Sequence, residues 1–242
     1  MSASAVNDRL YFRQLLSGRD FAHGDPVARQ MVNFAYLVGD RATGQALAVD
    51  PAYAPGDLLA ILDADGMSLA GTLLTHYHAD HAGGSLFGHE IAGLAALLEQ
   101  VSVPVHVQRE EARWVTRAAG VGEDDLALHD PGDVVTVGDL EVLLVHTPGH
   151  TPGSQCFLVE GRLVAGDTLF LEGCGRTDLP GSDPAAMYDS LQNRLARLPE
   201  STVVYPGHLY SADPFAPLSD VKRYNPVMAP RRPEEWLRLF GG

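Results

Sequence analysis

Four residues with metal-binding side chains are crowded into the segment HYHADH: His76, His78, Asp80 and His81. In a turn that leaves a strand, the imidazoles of His76 and His78 can point to a common centre. Asp80 and His81 then fall on the next bend, where they can serve a second centre. Neutral imidazoles and carboxylates suit zinc, iron and manganese. A solvated loop would explain the segment as well if it stood alone, so a metal site requires ligands elsewhere in the chain.

Three further candidates follow short apolar runs in the second half of the chain. His150 lies in HTPGHTPGS, where two Pro-Gly pairs build turns, and His208 follows VVYPG. Asp167 comes directly after the apolar run LVAG, where a carboxylate is costly unless a partner pairs with it. Loops at the ends of strands can converge on a rigid scaffold. The sequence therefore predicts one metal site built from seven residues.

The elements that must position these residues are strands in hairpins, mixed with helices. Strand pairs are predicted around turns at Arg41–Gly44, Gly138–Asp139 and Glu160–Gly161, and further strands at AGTLLTH, VPVHVQ and TVVYPGH, the last in the chain. Helices are predicted at PGDLLAILDADG, HEIAGLAALLEQ, REEARWVTRAAG, DPAAMYDSLQNRLARL and PEEWLRLF, with Asp183 as the N-cap of the fourth. This mixture favours two sheets covered by helices over an all-parallel sheet.

The seven residues together resemble the ligand pattern of the metallo-β-lactamase superfamily, over nearly the whole chain. The resemblance implies an α+β fold, a four-layer αββα sandwich with two mixed sheets flanked by helices. We expect a single domain over residues 1–242, with a short C-terminal extension over about 209–242. In dinuclear members, one metal is held by the residues matching His76, His78 and His150. The other is held by those matching Asp80, His81 and His208, and the residue matching Asp167 bridges both.

The resemblance also implies a chemistry. Two divalent metal ions, with zinc favoured over iron or manganese, share a water, lower its pKa and direct the resulting metal-bound hydroxide at a carbonyl carbon. The same ions stabilise the oxyanion that forms. Asp167 would take part as the bridging carboxylate, and Asp80 would orient the hydroxide. These two carboxylates are the expected catalytic residues.

Three branches of the superfamily fit the sequence poorly. Flavodiiron proteins carry a Glu where His78 stands, and nucleases carry a large extra domain or arm. Secreted β-lactamases carry a Cys where Asp167 stands. The stretch GDTLFLEGCGRTDLP is most similar to glyoxalase II (hydroxyacylglutathione hydrolase) and to the persulfide dioxygenases. We therefore expect hydrolysis of a thioester or a similar activated acyl bond.

Two alternatives to thioester hydrolysis stay open at this point. The first is a persulfide dioxygenase acting on glutathione persulfide with a single Fe(II), held by the residues matching His76, His150 and Asp167. The other ligand positions are alike in the two groups and do not separate them. The second is a non-catalytic metal-binding protein. Residues 85–120 look longer than in either enzyme group, which allows a different substrate.

Five residues are candidates for substrate binding. Arg176 would clamp a carboxylate, unless it pairs with Asp178 or Asp183, and Tyr210 would donate a hydrogen bond. Lys222 and Arg223 would recognise an anionic thiol carrier, although a solvated face explains them equally well. Cys174 is either a thiol near the metals or a small buried residue in a glycine turn.

Composition limits the class of protein. The 242 residues suit one sizeable domain, and the net charge of −14 disfavours nucleic acid and anionic membranes as partners. No apolar run could span a membrane, and the start MSASAVNDRLYFRQLL lacks a secretory pattern. Cys156 and Cys174 are too few for a disulfide framework, so a cytoplasmic protein is expected. The expected partner is a small acyl or thiol-derived substrate, with a homodimer as one option for assembly.

Overall fold

The computed structural model describes residues 9–241. Residues 1–8 and residue 242 lie outside the described residues. Residues 1–8 are the first half of the segment MSASAVNDRLYFRQLL, for which no secretory pattern was predicted. The described strands are β1 (Leu10–Leu16), β2 (Phe34–Asp40), β3 (Gln45–Val49), β4 (Ser68–Leu73), β5 (Gly84–Leu86), β6 (His89–Ile91), β7 (Val105–Gln108), β8 (Leu126–His129), β9 (Val134–Val137), β10 (Leu140–His146), β11 (Gln155–Val159), β12 (Arg162–Gly166), β13 (Leu169–Phe170), β14 (Gly173–Cys174), β15 (Val203–Pro206) and β16 (Ala216–Pro217).

The helices are short and lie between these strands. They are α1 (Pro26–Met31), α2 (Pro55–Ala64), α3 (Ala79–Ala82), α4 (Leu94–Leu98), α5 (Ala112–Ala118), α6 (Pro184–Asp189), α7 (Leu218–Tyr224) and α8 (Pro233–Phe240). Helix α6 continues as a π-helical turn over Ser190–Arg194 and a 3₁₀ turn over Leu195–Arg197. Further 3₁₀ turns span Arg109–Glu111, Glu123–Asp125 and Pro226–Met228.

The strands form two six-stranded mixed sheets and two small hairpins. The first sheet has the order β1-β2-β3-β4-β7-β8, and the second has the order β16-β15-β12-β11-β10-β9. In the first sheet β3, β4, β7 and β8 run parallel, and in the second β12 and β15 run parallel. The remaining pairs are antiparallel. The predicted hairpin turns at residues 41–44, 138–139 and 160–161 are all present.

The core lies between the sheets because side chains alternate along each strand. In β2, Phe34, Tyr36 and Val38 face the second sheet and pack against its residues, including Val142 and Phe157. The intervening residues of β2 pack on the opposite side, against α2. Strand β2 is therefore buried on both faces.

Helices cover the outer face of each sheet. On the first sheet, α2 packs through Leu58 and Leu62, while α4 and α5 cover the end that contains β7. On the second sheet, α6, α7 and α8 bury Met187, Val221 and Trp236. The layers are helix, sheet, sheet and helix, so the αββα prediction is confirmed. Residues 209–241, within the expected extension, supply β16 to the edge of the second sheet and α7 and α8 to its outer helical layer.

One predicted helix is wrong in its first half. The segment HEIAGLAALLEQ was expected to be helical throughout, but residues 89–91 form β6 and only Leu94–Leu98 are helical. The apolar spacing fits a helix, but Gly88 has φ +83° and closes a hairpin turn, and Gly93 lies just before α4. The prediction that TVVYPGH holds the last strand is also wrong, because β16 follows it.

The parallel pairs of strands explain where the site lies. Parallel neighbours end at the same edge of a sheet, so the loops after β3 and β4 meet at one edge of the first sheet. The loops after β12 and β15 meet in the same way in the second sheet. Within residues 9–241, no helix combines the length and the apolar character needed to cross a membrane.

Candidate metal centre

The structure gathers all seven residues predicted as ligands at the ends of strands. His76 and His78 lie in the loop after β4, and Asp80 and His81 lie in α3, which follows at once. The other three residues follow β10, β12 and β15 of the second sheet: His150, Asp167 and His208. The site is therefore shared by the two sheets, with four residues from the first and three from the second.

The first cluster contains His76, His78 and His150. Their nearest ring nitrogens all lie within 4.8 Å of one another. His78 Nδ1 is 3.0 Å from His150 Nε2, so His78 faces the cluster through Nδ1. The three imidazoles can hold one divalent cation.

The second cluster contains Asp80, His81 and His208. The Nε2 atoms of His81 and His208 are 3.3 Å apart. Asp80 Oδ2 lies 3.5 Å from the first of these nitrogens and 3.4 Å from the second. This arrangement of two imidazoles and a carboxylate can hold another divalent cation.

Asp167 lies between the two clusters. Its Oδ1 is 3.3 Å from His81 Nε2, and its Oδ2 is 3.4 Å from His208 Nε2. The same Oδ2 is 3.8 Å from His150 Nε2, which belongs to the other cluster. Both carboxylate oxygens therefore face ring nitrogens, and one of them faces both clusters.

Contacts on the far side of each ring set the tautomers. The Nδ1 atoms of His76 and His81 donate to Thr75 Oγ1 at 3.0 Å and to Asp50 Oδ2 at 2.9 Å. Those of His150 and His208 donate to backbone carbonyls at 2.8 Å. A neutral imidazole that donates from Nδ1 presents an unprotonated Nε2. All four rings therefore direct an Nε2 lone pair into the site, as metal-binding histidines do.

The donor set fits divalent cations because it leaves lone pairs without partners. Among the described residues, His76 Nε2 and Asp167 Oδ1 are buried and make no hydrogen bond. The Nε2 atoms of His81 and His208 face each other at 3.3 Å, although each ring already donates from Nδ1. Buried acceptors without donors are costly. Cations between them would satisfy these atoms.

The ionisation of the site follows from burial and from mutual attraction. Burial lowers the pKa of His76 well below its usual value and that of His78 to about 4. Burial alone would raise the pKa of the Asp167 carboxyl, but His208 and His81 hold it well below its usual range. Burial opposes charge on His81, yet Asp80 and Asp167 raise its pKa well above the usual value. The two carboxylates thus favour positive charge beside them, which is the charge that a bound cation would supply.

Asp50 is a functional residue that the sequence analysis missed. It is buried at the end of β3 with φ +52°, an uncommon conformation for a residue other than glycine. Its Oδ1 accepts from the Thr75 backbone N–H at 2.8 Å, and its Oδ2 accepts from Thr75 Oγ1 at 2.6 Å as well as from His81. Asp50 therefore orients His81 directly and His76 through Thr75. Its position after the apolar run ALAV repeats the pattern of Asp167, which could have revealed it.

Asn33 orients Asp80 and was also missed. Its Nδ2 donates to Asp80 Oδ2 at 3.0 Å, and its Oδ1 accepts from Tyr53 Oη at 2.9 Å. Asn33 is buried and precedes β2, 47 positions from its partner. Nothing in the local sequence marks this long-range contact.

Glu111 joins the two loops that carry the first cluster. Its Oε1 accepts from the Tyr77 backbone N–H and from Thr151 Oγ1, both at 2.8 Å, and its Oε2 accepts from the Gly153 N–H at 2.7 Å. A Cβ at residue 153 would lie 2.5 Å from Glu111, so only glycine fits there. Burial raises the pKa of Glu111 to about 7, against the three hydrogen bonds. In the sequence Glu111 is part of the charged run REEAR, and nothing there distinguishes it from an exposed carboxylate.

A cavity of about 900 Å³ opens onto the metal clusters. Its wall includes His78, Asp80, His150, Asp167 and His208. Three of the predicted substrate residues, Cys174, Arg176 and Tyr210, line the same cavity. A second cavity of about 820 Å³ shares the segment 172–176 and continues to Tyr224, Val227 and Phe240.

The three predicted substrate residues that line the cavity differ in character. Arg176 makes a bidentate ion pair with Asp178 at 2.7–2.8 Å, the alternative that the sequence had left open. Tyr210 stacks on His208, with ring centroids 4.6 Å apart and an interplanar angle of 8°. Burial raises the pKa of Cys174 to about 12, so its thiol stays protonated.

Lys222 and Arg223 lie on α7, outside the described walls of both cavities. The Lys222 ammonium is 4.0 Å from Glu200, and the Arg223 guanidinium lies over the ring of Tyr224 at 5.2 Å. Tyr224 itself lines the second cavity. The structure therefore does not bring Lys222 and Arg223 to the metal clusters.

The sequence pattern of the Metallo-beta-lactamase superfamily matches residues 29–208, which include all seven clustered residues. The chain belongs to this superfamily. A crystal structure of ETHE1 from Myxococcus xanthus superposes with a TM-score of 0.76 at 31% identity, over 95% of this chain and 89% of that one. The metallo-β-lactamase fold is thus confirmed. Both the superfamily and the set of donor atoms indicate a site for divalent metal ions.

Two curated relatives carry different activities in their names. The hydroxyacylglutathione hydrolase of Rhodopseudomonas palustris is 39% identical over 183 residues, which are 74% of this chain and 64% of that protein. The mitochondrial persulfide dioxygenase ETHE1 of Homo sapiens is 29% identical over 239 residues, 95% of this chain and 86% of that protein. The matched region thus spans somewhat less than two thirds of the hydrolase's length. Membership of the glyoxalase II and persulfide dioxygenase-like branch is confirmed.

Proposed function

We propose that this protein is a dinuclear metal hydrolase that cleaves a thioester or a similar activated acyl bond. The observation that carries the proposal is the position of Asp167, whose Oδ2 faces His208 at 3.4 Å and His150 at 3.8 Å. A carboxylate that faces both clusters would bridge two ions if both were occupied. The 39% identity to a hydroxyacylglutathione hydrolase supports the choice of bond.

In this proposal each cluster is assigned one ion. His76, His78 and His150 would hold the first, and Asp80, His81 and His208 the second, with Asp167 shared. Zinc is the favoured metal because a set of imidazoles and carboxylates without thiolates suits it, and iron or manganese would fit the same donors. When bound, two such ions supply a water of lowered pKa and positive charge for a developing oxyanion.

The chain's own residues position the reactants. Asp80 remains ionised because His81 and His208 lower its pKa against the effect of burial. It therefore accepts a hydrogen bond from the attacking water, while Asn33 fixes its orientation through Oδ2. The water loses one proton to solvent, its oxygen bonds to the carbonyl carbon and the carbon–sulfur bond breaks. The sulfur leaves with the second proton of the water as a thiol, and the acyl group is released as a carboxylate. Tyr210, Arg176 and Cys174 line the path of the substrate.

We propose a single domain over residues 1–242, with residues 209–242 as an extension, in a cytoplasmic protein that acts on a small acyl or thiol-derived substrate. A homodimer is one option for its assembly. Lys222 and Arg223 would serve a thiol carrier only where it extends beyond the second cavity, since neither residue lines it.

A persulfide dioxygenase is the second candidate. The alignment with the human enzyme of that name covers 95% of this chain, whereas the alignment with the hydrolase covers 74%. In that case a single Fe(II) would be held by His76, His150 and Asp167, and oxygen would be a second substrate.

Metal content and oxygen dependence separate the two candidates. Protein purified without added metal is analysed for bound ions and then assayed with an acyl-glutathione thioester under argon, and with glutathione persulfide in an oxygen electrode. We expect about two ions per chain and thioester hydrolysis without oxygen. About one iron per chain with consumption of oxygen would instead establish the dioxygenase. If the variants Asp80→Ala and His208→Ala show the same turnover as wild type, the protein binds metal without catalysis.

A further inference from the structure

The hairpin of β5 and β6 extends along one wall of the metal-site cavity. It follows α3, which carries Asp80 and His81, so the hairpin begins directly beside the second metal cluster. Leu86 pairs with His89, and Phe87 and Gly88 form the two-residue turn with φ +49° and +83°. Positive φ at both positions is typical of the tight turn that matches the twist of hairpin strands.

The base of this hairpin is fixed by glycines. A Cβ on Gly83 would lie 2.7 Å from the Cα of Gly93, and one on Gly84 would collide with the carbonyl oxygen of Ala118 in α5. The backbones are thus in direct contact at these points. Ile91 at the other end of the hairpin is buried in the core beside α2. The base of the hairpin is therefore fixed, and Phe87 at its tip lines the cavity.

Phe87 at the tip is costly for the fold. Its exposed fraction is 93%, the highest of the large hydrophobic residues that the structure describes. The turn position favours Asn, Asp or Gly, because other residues are strained at positive φ. The aromatic ring of Phe87 is thus exposed to solvent in a strained turn. Backbone strain of this kind clusters at active sites and at ligand contacts.

Apolar side chains of the hairpin and of α1 contribute to the cavity wall, together with Ser85 and Arg117. Phe87, Leu86 and Met31 line the cavity that contains the metal clusters but not the second cavity. The segment shared with the second cavity carries polar groups instead, among them Glu172 and Arg176. A thioester joins an acyl group to a thiol. These surroundings suit a polar thiol carrier beside residues 172–176 and an apolar acyl group beside Phe87.

We propose that Phe87, Leu86 and Met31 form the subsite for the acyl group, and that the substrate is a thioester of an apolar carboxylic acid. The acyl group is then an aliphatic chain or an aryl group that covers the ring of Phe87, rather than a small hydroxyacyl group. This inference rests on the proposed hydrolysis. Arg117 also lines this wall and would favour an acidic acyl group if it dominated recognition.

Binding of carboxylate products tests the subsite without turnover. Octanoate, succinate and acetate are titrated calorimetrically into the zinc-loaded full-length protein. Octanoate is expected to bind at least about tenfold more tightly than acetate, since covering a phenylalanine side chain contributes a factor of that order. Phe87→Ala should reduce this preference about tenfold, and Phe87→Leu should retain most of it. Phe215→Ala is the matched control, because Phe215 is exposed but does not line the cavity.

Kinetics with S-octanoylglutathione and S-lactoylglutathione provide the second measurement. Phe87→Ala should raise the KM for the octanoyl ester about tenfold relative to the KM for the lactoyl ester, whereas Phe215→Ala should leave both KM values unchanged. Equal affinity for octanoate and acetate, tighter binding of succinate, or an unchanged preference in Phe87→Ala would overturn the apolar subsite. A preference for octanoate that depends on Phe87, in a protein that hydrolyses no thioester, would overturn the proposed function and retain the subsite.

Discussion

Glu111 accepts a hydrogen bond from the backbone N–H of Tyr77 at 2.8 Å and so fixes the loop between His76 and His78. The same carboxylate accepts from Thr151 and Gly153, in the loop that carries His150. One buried side chain from the long segment 85–120 thus connects the two loops that build the first metal cluster. Glu111 is a positioning residue, because its contacts are with the neighbours of ligands.

Glu111→Gln should weaken metal binding. The new amide oxygen can replace Oε1, but the amide nitrogen would face the Gly153 N–H and lose that hydrogen bond. We expect the affinity for zinc to fall about tenfold, as for other groups that orient metal-binding histidines. Competition with a chromophoric chelator measures this constant. Glu110→Gln is the control, since Glu110 is exposed, and equal zinc affinity in the two variants would contradict the positioning role.

The stability of the metal-free protein should depend on pH through Glu111. Burial raises the pKa of this carboxyl from 4.5 to about 7, so the folded state holds its proton more tightly than the unfolded state. The contribution to the free energy of unfolding is full below pH 4.5 and is lost as pH rises through 7. The loss amounts to about 3 kcal/mol.

Urea denaturation of wild type and Glu111→Gln at pH 5, 6, 7 and 8 measures this effect. Groups that titrate in both proteins cancel in the difference, so wild type should lose stability relative to the variant as pH rises. A difference that is constant across this range would show that Glu111 titrates normally.

Asp50→Asn should disturb the second cluster more than the first. Asp50 Oδ2 accepts from His81 Nδ1 directly but reaches His76 only through Thr75. An amide nitrogen in place of Oδ2 cannot accept these hydrogen bonds, so His81 loses its orientation. We expect the ion assigned to Asp80, His81 and His208 to dissociate between tenfold and a hundredfold more readily. Titration of apoprotein with zinc resolves the two binding steps, and Asp63→Asn, an exposed carboxylate on α2, serves as the control.

Much of the fold and the gathering of the seven residues could be predicted from the sequence, because both depend on local patterns. Alternating apolar residues mark strands such as β10, and Pro-Gly turns mark the loop at His150. The layers follow once strands and helices are known. HEIAGLAALLEQ was mispredicted because the spacing of its apolar residues outweighed Gly88 just before it and Gly93 within it.

The residues that orient the clustered side chains could not be predicted from the sequence, with one exception. Asn33 is 47 positions from Asp80, and Glu111 is 34 positions from Tyr77 and 42 from Gly153. Such contacts exist only after the sheets have packed, and no spacing within the chain encodes them. Asp50 is the exception, since it follows an apolar strand as Asp167 does. A carboxylate at the end of a buried run marks both residues.

Two variants of Tyr210 separate the role of its aromatic ring from the role of its hydroxyl group. The ring stacks on His208 at 4.6 Å and contacts Phe170 edge to face at 5.1 Å. If the hydroxyl binds substrate, Tyr210→Phe should raise KM several-fold, by the value of about one hydrogen bond, with kcat unchanged. Tyr210→Ala should in addition lower zinc affinity, because His208 loses its packing. Kinetics that are identical for wild type and Tyr210→Phe would assign the residue to packing alone.

Asp183 supports the His150 loop through the start of α6. Its Oδ1 accepts from the backbone N–H groups of Ala185 and Ala186 at 2.8 and 3.1 Å, and its own N–H donates to the carbonyl of Gly149 at 2.8 Å. Asp183→Ala removes the cap but keeps the backbone contact to Gly149. We expect the free energy of unfolding to fall by about 1 kcal/mol.

Chemical denaturation of three variants tests the cap. Asp183→Asn should restore most of the loss because asparagine caps helices as well as aspartate does. Asp213→Ala, at an exposed position outside any helix, should leave stability unchanged. Zinc affinity should also stay unchanged in Asp183→Ala, since the contact to Gly149 is made by the backbone. A loss of zinc affinity without a loss of stability would mean that the carboxylate itself, rather than the cap, holds the His150 loop.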